Sequence, residues 1–198
     1  MASQPLNQLS PAAYLELERA AEQKHEFVEG EMVAMAGGSL AHALIMMNIG
    51  ADLWQKLQGK HCFVFSSDAR VCVHWDRLIT YPDVTVVCGQ PEHLDEKRDT
   101  ITNPTVLVEV LSPSTMNFDR GEKARQYRGV SSLKEFLLVD QAPVDIEHYK
   151  RLPDGTWQII RITAPDSRVR LESIDCELEA AVIYRGVNAL TGPAPPQN

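Results

Sequence analysis

Two acidic side chains lie in separate apolar runs of this sequence. Asp83 lies within residues 81–88 and Glu109 within residues 104–111, and each run contains three valines and a threonine. Short runs of this composition predict strands buried in a sheet. A carboxylate in such a strand is costly to desolvate unless it is paired or binds a metal. The two residues together therefore indicate a site for a cation.

A basic segment follows the second run. Residues 119–128 contain four basic and two acidic side chains, which suits a phosphate lying beside the acidic pair. Hydrolysis of a phosphodiester requires that the phosphate charge be neutralised and that a water become nucleophilic. Mg²⁺ or Mn²⁺ held by carboxylate oxygens supplies both effects, so the pattern favours nuclease-like chemistry.

Size and charge limit the classes of protein that fit. A chain of 198 residues is expected to form one domain. Its net charge of −8 argues against nonspecific attraction to nucleic acid, so a basic face would have to be local. The start of the chain lacks the features of a signal peptide, and no apolar run approaches the about 20 residues that span a bilayer. We expect a cytoplasmic protein with no membrane partner.

The four cysteines show neither a Cys-x-x-Cys pair nor the spacing of a zinc site. Cys62, Cys72 and Cys88 fall in predicted strands, where a free thiol behaves as a small apolar side chain. We therefore expect all four thiols, including Cys176, to be free and reduced.

The periodicity of apolar residues predicts an α/β fold with a mixed sheet. The helices are expected at residues 10–23, 39–58 and 118–128, and the strands at 25–28, 31–35, 61–66, 69–74, 78–88, 104–111, 135–140, 144–150 and 156–163. Residues 168–185 are expected to form a short strand and then a helix. Residues 1–9 are expected to be flexible and 188–198 disordered, which leaves 10–187 as a single domain.

The second predicted helix has an unusually broad apolar stripe. Its apolar positions follow a 3.6-residue period, and further apolar residues widen the stripe: Leu40, Leu44, Met47, Ala51, Trp54 and Leu57, with Ile45, Ile49 and Leu53. A stripe of this width predicts a largely buried helix.

The order of elements and motifs resembles the PD-(D/E)xK nuclease superfamily and, more narrowly, the Uma-type family of restriction-endonuclease-like proteins. The resemblance covers about residues 20 to 145 and rests on these segments and residues: 26–31, His42, Pro82-Asp83, 108–115, Asp119, Lys123, Tyr127, Gly129-Val130 and 135–140. It implies a mixed sheet flanked by helices, with an extra N-terminal helix and hairpin and a C-terminal hairpin. It also implies a Mg²⁺-dependent endonuclease that acts on DNA, and a homodimer because two strands must be cut.

The resemblance also assigns roles to residues. Asp83 and Glu109 would bind the metal, with the carbonyl of Val110 as a third ligand. The superfamily has a lysine two residues after the glutamate, where this chain has Leu111. The family pattern implies a lysine relocated to the next helix, and Lys123 is the candidate to orient water or stabilise the transition state. The alternative is an ordinary ion pair with Asp119, four residues away.

Two earlier residues are expected near the acidic pair. The family comparison places Glu26 there from the hairpin and His42 from the start of the long helix. With Ser39 as N-cap, His42 is the third helical residue, and the positive helix end is expected to lower its pKa. Asp119, together with Asn117, is expected to cap the start of its own helix.

The sequence is also compatible with two other hypotheses about function. The chain could be a catalytically inactive nuclease-fold protein that binds nucleic acid or a protein partner, which Leu111 and the acidic net charge favour. It could also be a sheet protein whose exposed edge forms a homodimer without any chemistry.

Overall fold

The computed structural model describes residues 8–191. The helices are α1 (Pro11–Ala20), α2 (Leu40–Lys56), α3 (Met116–Phe118), α4 (Ala124–Tyr127), α5 (Ala180–Ile183) and α6 (Asn188–Thr191), with a π-helical turn at Asp119–Lys123 and a 3₁₀ turn at Glu172–Ile174. No helix within this part of the chain is long and apolar enough to cross a membrane.

Thirteen strands are present in residues 8–191. They are β1 (His25–Val28), β2 (Glu31–Ala34), β3 (Cys62–Ser66), β4 (Arg70–His74), β5 (Leu78–Thr80), β6 (Val84–Cys88), β7 (Thr100–Ile101), β8 (Val106–Val110), β9 (Glu135–Val139), β10 (Ile146–Arg151), β11 (Trp157–Ile162), β12 (Arg168–Leu171) and β13 (Cys176–Glu179).

Two sheets form the body of the fold. The larger has the order β11-β10-β9-β8-β6-β3, and the smaller has the order β2-β1-β5-β4-β7. In the larger sheet β8 and β9 run parallel while the other neighbours are antiparallel. The predicted α/β fold with a mixed sheet is therefore confirmed, and β12 and β13 form a separate hairpin.

Side-chain alternation along β8 separates the two faces of the larger sheet. The three valines of β8 lie in one apolar cluster with Ile45 and Ile49 of α2. Leu107 and the adjoining Leu111 lie in another cluster with Tyr127 of α4. The sheet is thus covered by α2 on one face and by residues 116–127 on the other. Glu109 alternates with the valines and faces the second of these layers.

Several sequence-based boundaries differ from the structure. The predicted strand 78–88 is two strands, because residues 81–83 interrupt it at Pro82, which cannot donate a ladder hydrogen bond. Asp83 therefore immediately precedes β6 instead of lying within a strand. Residues 168–185 form two strands and a one-turn helix. Residues 188–191 are helical, and the rest of the predicted tail and residues 1–7 lie outside the described residues.

Helix α2 is buried on one face only, so the prediction of a largely buried helix is wrong. Ile45 and Leu53 on the face toward the sheet are fully buried. On the outer face Leu40 is 75% exposed, Met47 64% and Trp54 62%. The apolar stripe of α2 is wider than the part of the helix surface that the sheet and the C-terminal elements cover.

The expectation of four free thiols is also wrong. Cys62 and Cys88 lie directly opposite each other in the antiparallel pair of β3 and β6, with their Cα atoms 4.0 Å apart, and they form a disulfide. Cys72 and Cys176 are free. The pairing depends on the register between strands that are 26 residues apart, which cysteine spacing does not encode.

A buried carboxylate fastens the 3₁₀ turn before β13 to the larger sheet. Glu135 of β9 is hydrogen-bonded to His148 Nε2 at 3.0 Å and accepts from the backbone amides of Glu172 and Ser173 at 3.2 and 2.9 Å. The Ser173 hydroxyl donates to the same carboxylate. Glu135 and His148 are both buried, so these contacts replace water for all the groups involved.

We predict that Glu135→Ala lowers the free energy of unfolding by about 3 kcal/mol, because it leaves a buried imidazole and two amides without their acceptor. Urea denaturation followed by circular dichroism measures the change. Glu179→Ala, which removes an exposed carboxylate from β13, is the matched control and is expected to stay within about 0.5 kcal/mol of wild type. Equal effects of the two changes would contradict the anchoring role.

Candidate active site

The ammonium group of Lys123 lies at the centre of an acidic cluster. Its Nζ is 2.9 Å from Glu109 Oε1, 3.0 Å from Glu26 Oε1 and 3.7 Å from Asp119 Oδ1. Lys123 is only 4% exposed. Glu109 belongs to the larger sheet and Glu26 to the smaller one, so Lys123 connects the two sheets as well as three carboxylates.

The helical segment over the larger sheet brings Lys123 to this position. The segment is α-helical at both ends and π-helical at Asp119–Lys123, a local widening that is frequent at functional sites. Tyr127 follows Lys123 by one turn, and its hydroxyl donates to Glu109 Oε1. The spacing of four residues places Tyr127 on the same helical face as Lys123, but the contact with Glu109 depends on how the helix packs on the sheet.

Burial and charge act against each other on Glu109 and Lys123. Burial raises the pKa of Glu109 to about 8; Lys123 opposes this shift, and the negative charges of Asp83 and Asp119 add to it. Burial lowers the pKa of Lys123, but the Glu109 and Glu26 carboxylates outweigh it and hold that pKa well above its usual value. The surrounding carboxylates thus favour the charged form of Lys123.

Glu26 receives two hydrogen bonds. Strand β1 pairs with β5, which places Thr80 beside Glu26, and the Thr80 hydroxyl and Lys123 both donate to Glu26 Oε1. Burial raises the pKa of Glu26, but these two partners lower it more, so the net shift is downward. Thr80 was not among the predicted site residues, because its position depends on the register between distant strands.

Asp83 and His42 form the second half of the site. Asp83 Oδ2 accepts a hydrogen bond from the Val110 amide at 2.7 Å and lies 3.3 Å from His42 Nε2. The Ser39 hydroxyl accepts from the His42 amide at 3.1 Å, which confirms the predicted N-cap and the place of His42 in the helix. The predicted fall in the His42 pKa is wrong. The hydrogen bond to Asp83 raises this pKa against the effect of burial, and the carboxylate outweighs the helix end.

Asp119 does not cap its helix. The helical segment begins at Met116, so Asp119 lies inside it, and its amide donates to the Thr115 carbonyl at 2.9 Å. Its buried side chain points toward Lys123 instead, and burial raises its pKa. The prediction failed because the helix starts two residues earlier than the sequence suggested.

A glycine leaves room for the His42 ring. A Cβ atom built on Gly38 would lie 2.8 Å from His42 Nδ1 and 2.9 Å from Cγ. The neighbouring Gly37 has no heavy atom within 4 Å of the corresponding position. The His42 ring therefore lies against the backbone of Gly38, and in this position the ring contacts Asp83.

The donor atoms of this cluster match a hard divalent cation. In residues 8–191 no three His, Cys, Asp or Glu side chains are arranged as a metal cage. Mg²⁺, however, usually keeps several waters and binds proteins through one or two carboxylates plus substrate phosphate. Asp83 Oδ1 and Glu109 Oε2 accept no hydrogen bond from the described residues, whereas Asp83 Oδ2 and Glu109 Oε1 are occupied. Carboxylate oxygens and a backbone carbonyl, as at Asp83, Glu109 and Val110, are the donor types that such a partial ligand set uses.

Comparisons with known proteins agree with this architecture. The model of the Uma2 family, described as "Putative restriction endonuclease", matches residues 11–182. "Uncharacterized protein slr1290" of Synechocystis sp. is 37% identical over 185 residues, which cover 93% of this chain and 96% of the relative. "Uncharacterized protein sll1609" of the same organism is 32% identical over 161 residues, which cover 81% and 91%.

A solved structure shares the fold. It is described as "a putative nuclease belonging to DUF820" from Anabaena variabilis, and it aligns with a TM-score of 0.73 at 16% identity over 89% of this chain and 97% of the other. At that identity the likeness concerns the fold, which is nuclease-like. The family match covers most of residues 8–191 and two relatives align over most of their length, so this chain belongs to the Uma2 family of restriction-endonuclease-like proteins.

Proposed function

We propose that this protein is a Mg²⁺- or Mn²⁺-dependent endonuclease that hydrolyses DNA phosphodiester bonds. The observation that carries the proposal is the distance of 2.9 Å between Lys123 Nζ and Glu109 Oε1 in a cluster that also contains Asp83. Two acids and a lysine, the set that the resemblance to the nuclease superfamily implies, are thus close together although Leu111 occupies the usual lysine position. The family description supports the same activity.

Asp83, Glu109 and the carbonyl of Val110 are the proposed cation ligands. A divalent cation held there would polarise the phosphate and lower the pKa of a water. Lys123 supplies a fixed positive charge in a water-poor site, where charge that develops on the phosphate is stabilised most strongly. Its high pKa makes it unsuited to act as a base.

Glu26 and His42 act by positioning in this proposal. Glu26 holds the ammonium of Lys123 in place from the smaller sheet. His42 contacts Asp83 Oδ2, which also accepts a hydrogen bond from the Val110 amide. These two contacts fix the direction of the other carboxylate oxygen, Asp83 Oδ1. Both residues therefore set the geometry of groups that contact cation and phosphate.

The charge of the cluster favours a cation. Glu26, Asp83, Glu109 and Asp119 face one ammonium and one imidazole. Acidic groups are thus in excess at a buried place, and the mutual repulsion of Glu109, Asp83 and Asp119 contributes to the raised pKa of Glu109. A divalent ion would relieve this repulsion.

DNA as the substrate, a homodimer and a cytoplasmic location remain predictions. Cleavage of two strands requires two active sites, which a homodimer supplies. The cytoplasmic prediction loses its support from free thiols, because Cys62 and Cys88 are bonded. A second candidate function is a nuclease-fold protein that binds nucleic acid or a protein partner without cleavage, and Leu111 in place of the lysine favours it.

We predict that Mn²⁺ binds the wild-type protein and that Asp83→Ala abolishes the binding heat in titration calorimetry. Binding at a hundred times Kd is expected to stabilise the wild type by about 2.7 kcal/mol, which a thermal melt also detects. Asp154→Ala removes an exposed carboxylate from a turn and is expected to leave binding unchanged. A binding heat that persists in Asp83→Ala would contradict the ligand assignment.

We predict that the wild type nicks supercoiled plasmid with Mg²⁺ or Mn²⁺ and that EDTA stops the reaction. Glu109→Gln and Lys123→Met are each expected to lower the rate by about a hundredfold or more, because Glu109→Gln weakens a proposed cation ligand and Lys123→Met removes a positive charge that stabilises the charge developing on the phosphate. Glu179→Gln is the matched control, with wild-type cleavage expected.

The two candidate functions separate in this assay. Circular dichroism first establishes that each variant is folded, since Lys123→Met leaves buried carboxylates without their partner. Cleavage that disappears in Glu109→Gln would exclude the inactive scaffold. No cleavage by the folded wild type with either metal would favour it.

We predict that Gly38→Ala lowers the cleavage rate by about tenfold to a hundredfold, because its methyl group displaces His42 from Asp83 and small displacements in an active site are costly. Gly37→Ala has open space around it and is expected to cleave at the wild-type rate. In a His42→Ala background the Gly38→Ala change is expected to have no further effect. An equal loss in both backgrounds would show that Gly38 acts independently of His42.

A further inference from the structure

Helix α2 carries a second apolar face that nothing in residues 8–191 covers. Leu40, Met47 and Trp54 are spaced seven residues apart, so they lie in one line along the helix, and they are 75%, 64% and 62% exposed. The small residues Ala43 and Ala51 lie exposed between them. This spacing is that of a helix seam that packs against another helix.

The edge of the larger sheet extends this apolar surface. Strand β3 is the last strand of the sheet and contains neither a charged residue nor a proline, the features that usually protect an edge. Phe63 of β3 is 49% exposed. Together with Trp54 and Phe65 it lines a cleft of about 240 Å³ where the end of α2 meets the edge.

The size of the surface suits a stable dimer. With about 200 Å² for each large apolar side chain, the exposed parts of Leu40, Met47, Trp54 and Phe63 amount to roughly 500 Å². That lies near the upper end of the largest apolar patches on monomers. It also exceeds half of the about 800 Å² that each partner contributes to a standard interface, before any polar rim is counted.

The distribution of charge on the chain indicates that the partner at this surface is a second copy. The chain has a net charge of −8, so two copies repel each other except through a neutral face. Between Leu40 and Trp54 the ionisable side chains are His42, which is directed toward Asp83, and Asp52, which is paired with Lys56. The opposite edge strand, β11, instead carries Arg161, which is 65% exposed and paired with Asp145. The α2 face is therefore the neutral surface on which a second copy can approach.

We propose that two copies of this chain associate through the outer faces of their α2 helices, with the β3 edges beside them. In an antiparallel two-fold arrangement Met47, in the middle of the line, meets Met47 of the other copy, while Leu40 meets Trp54. Because the line begins two residues before His42, the interface runs along the helix that contributes to the candidate active site. The inference stands on the apolar surface and not on the proposed nuclease activity.

Sedimentation equilibrium of the full chain over a dilution series tests the proposal. The wild type is expected at twice the chain mass of 22.1 kDa, and Met47→Glu at the single chain mass, with unchanged circular dichroism. Ile159→Glu is the matched control, because Ile159 is 55% exposed on the opposite edge strand, and it is expected to remain a dimer.

A monomeric wild type, a dimeric Met47→Glu variant, or loss of the dimer in Ile159→Glu alone would each overturn the proposal. Cross-linking gives a second measurement with no added charge. Under mild oxidation Met47→Cys is expected to form a covalent dimer on a nonreducing gel, and Ile159→Cys is not. Equal cross-linking of the two variants would also overturn it.

Discussion

The pairing of one buried ammonium group with carboxylates from two sheets holds together both the architecture and the candidate active site of this protein. Lys123 Nζ lies 2.9 Å from Glu109 and 3.0 Å from Glu26. A buried charge is stable only when it is paired and its partners are hydrogen-bonded. Here Tyr127 donates to Glu109 and Thr80 to Glu26. The contacts that join the sheets are therefore the contacts that fix the acidic cluster.

Strand β8 shows how the core and the site share one element. Its valines fill the cluster beneath α2, while Glu109, on the opposite face, receives Lys123. At the end of the same strand the Val110 amide binds Asp83. One strand thus supplies core packing, a carboxylate and the backbone group that orients a second carboxylate. The proposed cation ligands are therefore held directly by a central strand of the larger sheet.

Structural features that depend only on residues close in sequence could be predicted from local sequence patterns. The β1–β2 hairpin, the N-cap at Ser39 and the shared helical face of Lys123 and Tyr127 follow from spacings of a few residues. Contacts that depend on the register of distant strands were not accessible, as the Cys62–Cys88 disulfide shows. The His42 pKa belongs with these, because a local rule predicted its fall and a partner from another element reversed it.

Packing explains why the lysine of the site comes from a helix. Leu111 lies on the same face as Glu109, two residues along the chain, but it is buried in an apolar cluster with Leu107 and Phe136. An ammonium group whose stem starts there would have to leave that cluster or lose its hydration among apolar neighbours. From the helix above, Lys123 reaches the same carboxylate, and its side chain is buried there. Leu111 at the end of the strand therefore packs in the core, and the ammonium group of the site comes from the helix instead.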